Sequence, residues 1–177
     1  PLRLNIVSIV TDDQASWSVG AYGSLDARTP VLDRLARDGM LFRNAFVTNS
    51  ICTPSRASIL TGKYSHKNGV PAFNRFDGSQ WTVAKALQAA GYHTGMIGKW
   101  HLGYDFAFHP MNFGFDEFRG YVGGNVDYHT HVAGYGSKEL DWSKDKTIRN
   151  EPGYTTDLLA GYATEFIERN RAKPFYL

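Results

Sequence analysis

Residues 4–10, Leu-Asn-Ile-Val-Ser-Ile-Val, form a nearly unbroken β-branched and apolar run that stops abruptly at Thr11-Asp12-Asp13. A strand with one wet face alternates apolar and polar side chains. A strand covered on both faces reads instead as a continuous run, the pattern of a parallel sheet. Parallel neighbours need a crossover between them, usually a helix, so this one segment predicts helices and strands in alternation downstream. The rest of the chain follows that pattern. Thr29 as N-cap, Pro30, then Leu32, Leu35 and Ala36, closed by Gly39, predict a helix. A second strand is expected within residues 40–47, and a short helix from Pro54 to Gly62. A helix over 82–90 with Val83, Leu87 and Ala90 on one face ends at Gly91, and a strand follows over 92–97. Thr156 is expected to cap a last helix with Leu158, Leu159, Tyr162, Ala163, Phe166 and Ile167 inward. Pro174-Phe175-Tyr176-Leu177 reads as the start of a strand. Residues 103–153 show no sustained period, and so long an irregular stretch is either functional or hides short elements. The alternation predicts an α/β fold: a mostly parallel sheet flanked by helices, with ligands at the carboxyl ends of its strands. A length of 177 residues suits one domain. A last strand barely begun predicts that residues 1–177 are the N-terminal part of a longer domain.

Composition removes several classes of function. Nineteen lysines and arginines face seventeen acidic residues, so no electrostatic case exists for nucleic acid or an anionic membrane surface as partner. The single cysteine, Cys52, excludes a disulfide scaffold and a zinc ribbon. No apolar run approaches the ~20 residues that span a bilayer.

Three segments carry residues with chemistry in them. Asp12 and Asp13 follow the first strand, where such sheets hold ligands. Both can face one ion only if the strand has already ended, and hard oxygen donors without thiolate or clustered histidine favour calcium or magnesium. A solvated turn or a helix cap is much the commoner role of a bare Asp-Asp pair. Cys52 lies in Ser50-Ile51-Cys52-Thr53-Pro54-Ser55-Arg56, just before the short helix, with Thr53 able to cap and Pro54 able to open it. Helix starts favour anions, and Arg56 adds a fixed cation in the first turn. A thiol there would be activated, although a lone cysteine also serves as a small buried hydrophobe. In Gly98-Lys99-Trp100-His101-Leu102-Gly103, Lys99 and His101 are expected just beyond a strand and on one side of it. A lysine and a histidine converging on an anion can bind sulfate or phosphate and move protons. A surface lysine and a loop histidine would look the same.

Taken together, these segments resemble the type I sulfatases. Cys52-Thr53-Pro54-Ser55-Arg56 fits that family's C-x-P-x-R core, which Leu60-Thr61-Gly62 continues, and Gly98-Lys99-Trp100-His101-Leu102-Gly103 fits its second signature. Asp12-Asp13, Gly114-Phe115-Asp116-Glu117-Phe118 and Gly153-Tyr154-Thr155-Thr156-Asp157 extend the resemblance through the chain, nearest to the arylsulfatase and N-acetylgalactosamine-sulfatase branch.

The resemblance implies an alkaline-phosphatase-like sulfatase core, truncated here, and a sulfuric ester hydrolase acting on an aryl or sugar sulfate. A separate formylglycine-generating enzyme would oxidise Cys52 to formylglycine, whose hydrate is a geminal diol. One hydroxyl would attack sulfur as the alcohol leaves, giving a sulfated enzyme, and the second would then lose its proton, collapse to the aldehyde and expel sulfate. Asp12, Asp13 and the residue made from Cys52 would bind a divalent ion, Ca²⁺ ahead of Mg²⁺. Arg56 would hold the hydrate and the carboxylates, Lys99 would contact the sulfate, and His101 would be the base. His129 and His131 fit a substrate mouth or an exposed loop equally. The family's second metal-ligand pair, a further His and a further Lys are expected in a missing C-terminal part, leaving this chain inactive alone. The family also implies export, to the bacterial periplasm or outside, or a lysosomal location in a eukaryote. Two other readings are a formylglycine-dependent phosphonate or phosphate ester hydrolase and a catalytically silent, sulfatase-like binding module.

Overall fold

The computed structural model describes residues 3–73, 76–134 and 136–177. It divides into two units: Pro1–Ser8 with Thr48–Leu177, and Ile9–Val47.

The larger unit is built on a five-stranded sheet. In chain order it comprises helices α2 (Cys52–Thr61), α3 (Ser65–Asn68) and α4 (Val83–Ala89), strands β1 (His93–Lys99), β2 (Glu117–Tyr121), β3 (Ser143–Lys144) and β4 (Thr147–Ile148), helix α5 (Thr155–Asn170) and strand β5 (Phe175–Tyr176). The strand order is β4-β3-β2-β1-β5. The central strand β1 runs parallel to both neighbours, in register from Gly95↔Glu117 to Lys99↔Tyr121 on one side and His93↔Phe175 on the other. An antiparallel hairpin, β3–β4, completes the β2 edge.

Alternation along β1 sends neighbouring side chains to opposite faces, and each face meets its own core. Met96 packs with Ala57 and Leu60 of α2, Ala84 of α4, and Trp100, Leu102, Phe113 and Phe115. Ile97 packs with Leu158, Leu159 and Tyr162 of α5, and with Tyr121 and Trp142. Thr82 caps α4, its hydroxyl accepting from Lys85 N at 3.1 Å and donating to Phe113 O at 2.7 Å. Such a cap contributes about 1 kcal/mol; here it also ties the helix to the loop that enters β2.

The smaller unit holds two turns of 3₁₀-helix, Ser16–Ser18 and Gly20–Tyr22, and helix α1 (Pro30–Asp38). Asp33 organises it, accepting from Ala21 N at 2.7 Å and from the Thr29 hydroxyl at 3.0 Å.

Four expectations are corrected. Residues 4–10 form no buried strand: one parallel bridge joins Ile6 to Tyr176, and Leu4, Val7, Ile9 and Val10 are exposed. The backbone bonds there join Ile6 N to Phe175 O, Leu177 N to Ile6 O and Ser8 N to Leu177 O. Residues 40–47 contain no strand. The short helix begins at Cys52 itself rather than after it. The last helix begins at Thr155, after Tyr154. The irregular stretch does hide short elements, namely β2, β3, β4 and the 3₁₀ turns Phe106–Phe108 and Pro110–Phe113.

Candidate active site

Ile51 is extended and Cys52 is the first helical residue of α2, with no side chain capping the turn. The half-buried thiol therefore belongs to a residue at the positive end of the helix dipole, where Cys52 and Thr53 carry the N–H groups of the turn that have no partner within the helix. Thr53, Pro54, Ala57 and Leu60 are buried, so the helix is pinned along one stripe and its start is fixed in place. Gly62 closes it in the left-handed conformation.

Lys99 is the last residue of β1, and its two successors continue the ladder to β2. Trp100 N donates to Tyr121 O and His101 N to Val122 O, both at 3.0 Å. The Trp100 side chain is buried, and its indole N–H donates to Phe108 O at 2.7 Å. Burying a side chain of this size contributes about 1.5–3 kcal/mol; here it anchors the peptide between the two residues with chemistry. At His101 the backbone turns left-handed, with φ of 56°. The extended backbone expected to carry Lys99 and His101 to one side thus ends at His101.

What joins these residues is α2. Arg56 donates from Nη1 to Lys99 O at 2.6 Å, and Thr53 donates from Oγ1 to His101 O at 3.0 Å. Residues three apart on a helix lie on one side, so the turn that begins with Cys52 grips both carbonyls of the Lys99–His101 pair.

A second wall borders His101. A Cβ added at Gly124 would lie 2.8 Å from Cε1 and Nε2 of the His101 ring, so the backbone there packs directly against the imidazole. Phe73 stands across from it, with ring centroids 5.6 Å apart. Behind Gly124, the buried Asp141 accepts from Val122 N at 2.9 Å and Gly123 N at 2.7 Å. Burial pushes its carboxyl above the ordinary carboxylate range, opposed by those two N–H donors. Gly124 and Asp141 escaped sequence reasoning, and Thr53, expected as a cap, lies inside the helix and donates to His101 O instead. The C-x-P-x-R pattern makes Thr53 a variable position, and Asp141 lies in a stretch without period.

Asp12 and Asp13 lie in the smaller unit, at a bend directly after residues 4–10. Asp13 is left-handed, with φ of 51°. That ends the extended backbone between the two carboxylates, as a shared ion requires, and Asp tolerates the conformation. Two hard oxygen donors suit Ca²⁺ or Mg²⁺ but fill only part of a shell of six or more. Among the described residues no cluster of three or more His, Cys, Asp or Glu forms.

The other histidines fall outside this constellation. His131 is buried and stacked on Trp142 at 4.2 Å, so it belongs to the core rather than to a mouth. His129 is exposed beside Tyr154. His66 stacks on Tyr64, and His109 is buried against Phe118, where burial lowers its pKa. Lys63 reaches Gln80 at 3.3 Å. No helix among the described residues is long and apolar enough to cross a membrane.

A family model described as Sulfatase matches residues 4–177. An N-acetylglucosamine-6-O-sulfatase of Bacteroides thetaiotaomicron is 38% identical over 98% of this chain and 29% of its own length. The human N-acetylgalactosamine-6-sulfatase is 37% identical over 68% of this chain and 26% of its own length. Among solved structures, Ps i-CgsB in complex with k-i-k-neocarrahexaose superposes with a TM-score of 0.89 at 32% identity, covering 99% of this chain and 44% of that one. A protein in complex with its substrate D-glucosamine-2-N,6-O-disulfate gives a TM-score of 0.84 at 38% identity, over 99% of this chain and 33% of that one. The chain thus spans less than half the length of each of these relatives. With the family model covering nearly every residue, and the helix start of Cys52 bonded to the Lys99–His101 segment, this chain belongs to the sulfatase family.

Proposed function

We propose that this chain carries the nucleophile side of an active site that hydrolyses sulfate monoesters of sugars. The observation that carries the reading is the double grip of α2 on Lys99 and His101, through Arg56 at 2.6 Å and Thr53 at 3.0 Å. It ties the backbone of Lys99 and His101 to the helix that begins with Cys52, which supports reading the three as nucleophile, cation and proton acceptor of one pre-organised site. The names of the relatives, which act on 6-sulfated amino sugars, support a saccharide ester as the substrate class.

On this reading Cys52 is matured to formylglycine, whose hydrate supplies an oxygen nucleophile that a thiol does not. A divalent ion, Ca²⁺ ahead of Mg²⁺, would be held by Asp12, Asp13 and the matured residue 52, and would offset negative charge on the transferring group. The remaining roles belong to the chain's own side chains. The start of α2 presents N–H donors to the anionic group, and Lys99 binds a sulfate oxygen. His101 takes the proton of the nucleophile's second hydroxyl, and Arg56 keeps the backbone of Lys99 in register with the helix start. Residues 1–177 would be the N-terminal part of a longer catalytic domain, in keeping with their share of the relatives' length, and the family relationship favours an exported or lysosomal protein.

Titration of D-glucosamine 6-sulfate into the chain, followed by amide NMR, tests the reading. Shifts are expected at Ser55, Lys99 and His101, with binding lost in Lys99→Ala and the matching 6-phosphate held more weakly. Equal binding by Lys99→Ala, or preference for the phosphate, would overturn it.

A further inference from the structure

We propose that Asp141 is a positioning residue for His101, acting through the turn Val122-Gly123-Gly124; the inference rests on the reading of His101 as the proton-transfer group. The Asp141 carboxylate accepts from two consecutive backbone N–H groups, Oδ1 from Val122 and Oδ2 from Gly123. Hydrogen bonds to an ionised acceptor are roughly twice as strong as neutral ones, so the turn is clamped in both position and tilt. Val122 is held on its other side by His101 itself, whose N–H donates to Val122 O at 3.0 Å. The next residue in the turn, Gly124, lies against the imidazole with no room for a methyl group. The clamp therefore sets two restraints on His101 at once, one on its backbone and one on its ring.

Asp141 is fixed from behind. Its own N–H donates to His131 O at 2.9 Å, and its neighbour Trp142 is buried with its ring stacked on that of His131. A buried carboxylate is costly unless its oxygens are paired, and here both are, by Val122 N and Gly123 N. A carboxylate spending both oxygens on the turn beside His101 makes sense as a device for holding that turn.

The test follows the accessibility of the His101 ring in the chain as it is, without turnover, so it stands even if the chemistry assigned to Cys52 fails. Wild type, Asp141→Asn, Asp141→Ser and Asp141→Ala are treated with diethyl pyrocarbonate. Modification of His101 is read by peptide mass spectrometry against the exposed His66 as internal reference, and melting temperature is recorded alongside. In Asp141→Asn the ratio of His101 to His66 modification is expected to rise about tenfold, the change in open population that follows loss of a hydrogen bond to a charged acceptor. Asp141→Ala is expected to exceed it. The ¹H–¹³Cε1 cross-peak of His101 is expected to move in the same variants. Any folded variant of the three that melts lower yet leaves both the ratio and the cross-peak unchanged would reduce Asp141 to a structural residue and overturn the proposal.

Discussion

The guanidinium of Arg56 donates to the backbone carbonyl of Lys99 at 2.6 Å. A side chain on the first turn of α2 thereby fixes the last residue of the central strand, while Thr53, three residues earlier, does the same for His101. The signature spacing has a local cause: Cys52 opens the helix, and Arg56 lies one turn along, on the side facing the strand end.

Removing either bond should weaken the fold and the site together. Thr53→Val leaves the His101 carbonyl without its hydroxyl donor and should cost about 1–2 kcal/mol; Arg56→Lys, which keeps the charge but loses the planar fork, should cost about 1.5–3 kcal/mol. Because both act on one short segment, the double variant should show coupling of about 0.5 kcal/mol or more. Urea unfolding of the four proteins measures this, and strict additivity would mean that the two bonds act separately.

Gly98 and Gly120 face each other in register where β1 and β2 approach the site. Both have positive φ, 115° and 146°, and a Cβ at Gly120 would lie 2.2 Å from Gly98 O. The obstruction is backbone and has no rotamer in which to yield. Gly120→Ala should cost at least ~3 kcal/mol, lowering the melting temperature by about 6–12 °C. A melting curve within 2–3 °C of wild type would show that β2 can shift without loss.

Acid stability should depend on Glu117. Arg169 donates to both its carboxylate oxygens, at 2.9 and 2.8 Å, and His93 Nε2 lies 2.6 Å from Oε1. The Arg169 bonds first, and then His93, hold this carboxyl down from 4.5 to about 2. The folded value lies below the unfolded one, so the contribution is complete above pH 4.5 and is lost as pH falls toward 2. With the guanidinium half in solvent it amounts to about 1–2 kcal/mol. Glu117→Gln should flatten the stability curve between those pH values, as measured by denaturant unfolding at several pH values.

Calcium should stabilise the protein through Asp12 and Asp13. Binding to the folded state alone adds about 2.7 kcal/mol at a hundredfold excess over Kd. Thermal melts with and without CaCl₂ should differ for wild type and coincide for the Asp12→Asn, Asp13→Asn double variant. A shift that survives in that variant places the ion elsewhere.

Elements whose own residues determine them were readable in the sequence. Pro30–Asp38 carries its start and stop signals, and α4 carries Thr82 as cap and Gly91 as terminator. Residues 4–10 misled because an apolar run records what a strand can bury, whereas burial depends on the layers packed over it; here the run is bridged at Ile6, to Tyr176. The site divides in the same way. Cys52, Arg56, Lys99 and His101 stand at fixed spacing within two short segments. The bonds between those segments join residues 43 and 48 positions apart, and no periodicity encodes them. Asp141 is legible only once β2 and β3 are paired and Val122 lies within its reach.

On the proposed function, the helix start at Cys52 is a site of nucleophilic chemistry rather than a lone thiol in a core. The most direct test is the mass of the tryptic peptide of residues 44–56, from chain expressed together with a formylglycine-generating enzyme. An aldehyde is expected at position 52, and its loss in Cys52→Ala. An intact cysteine in that peptide, from a host shown to mature another sulfatase, would contradict it.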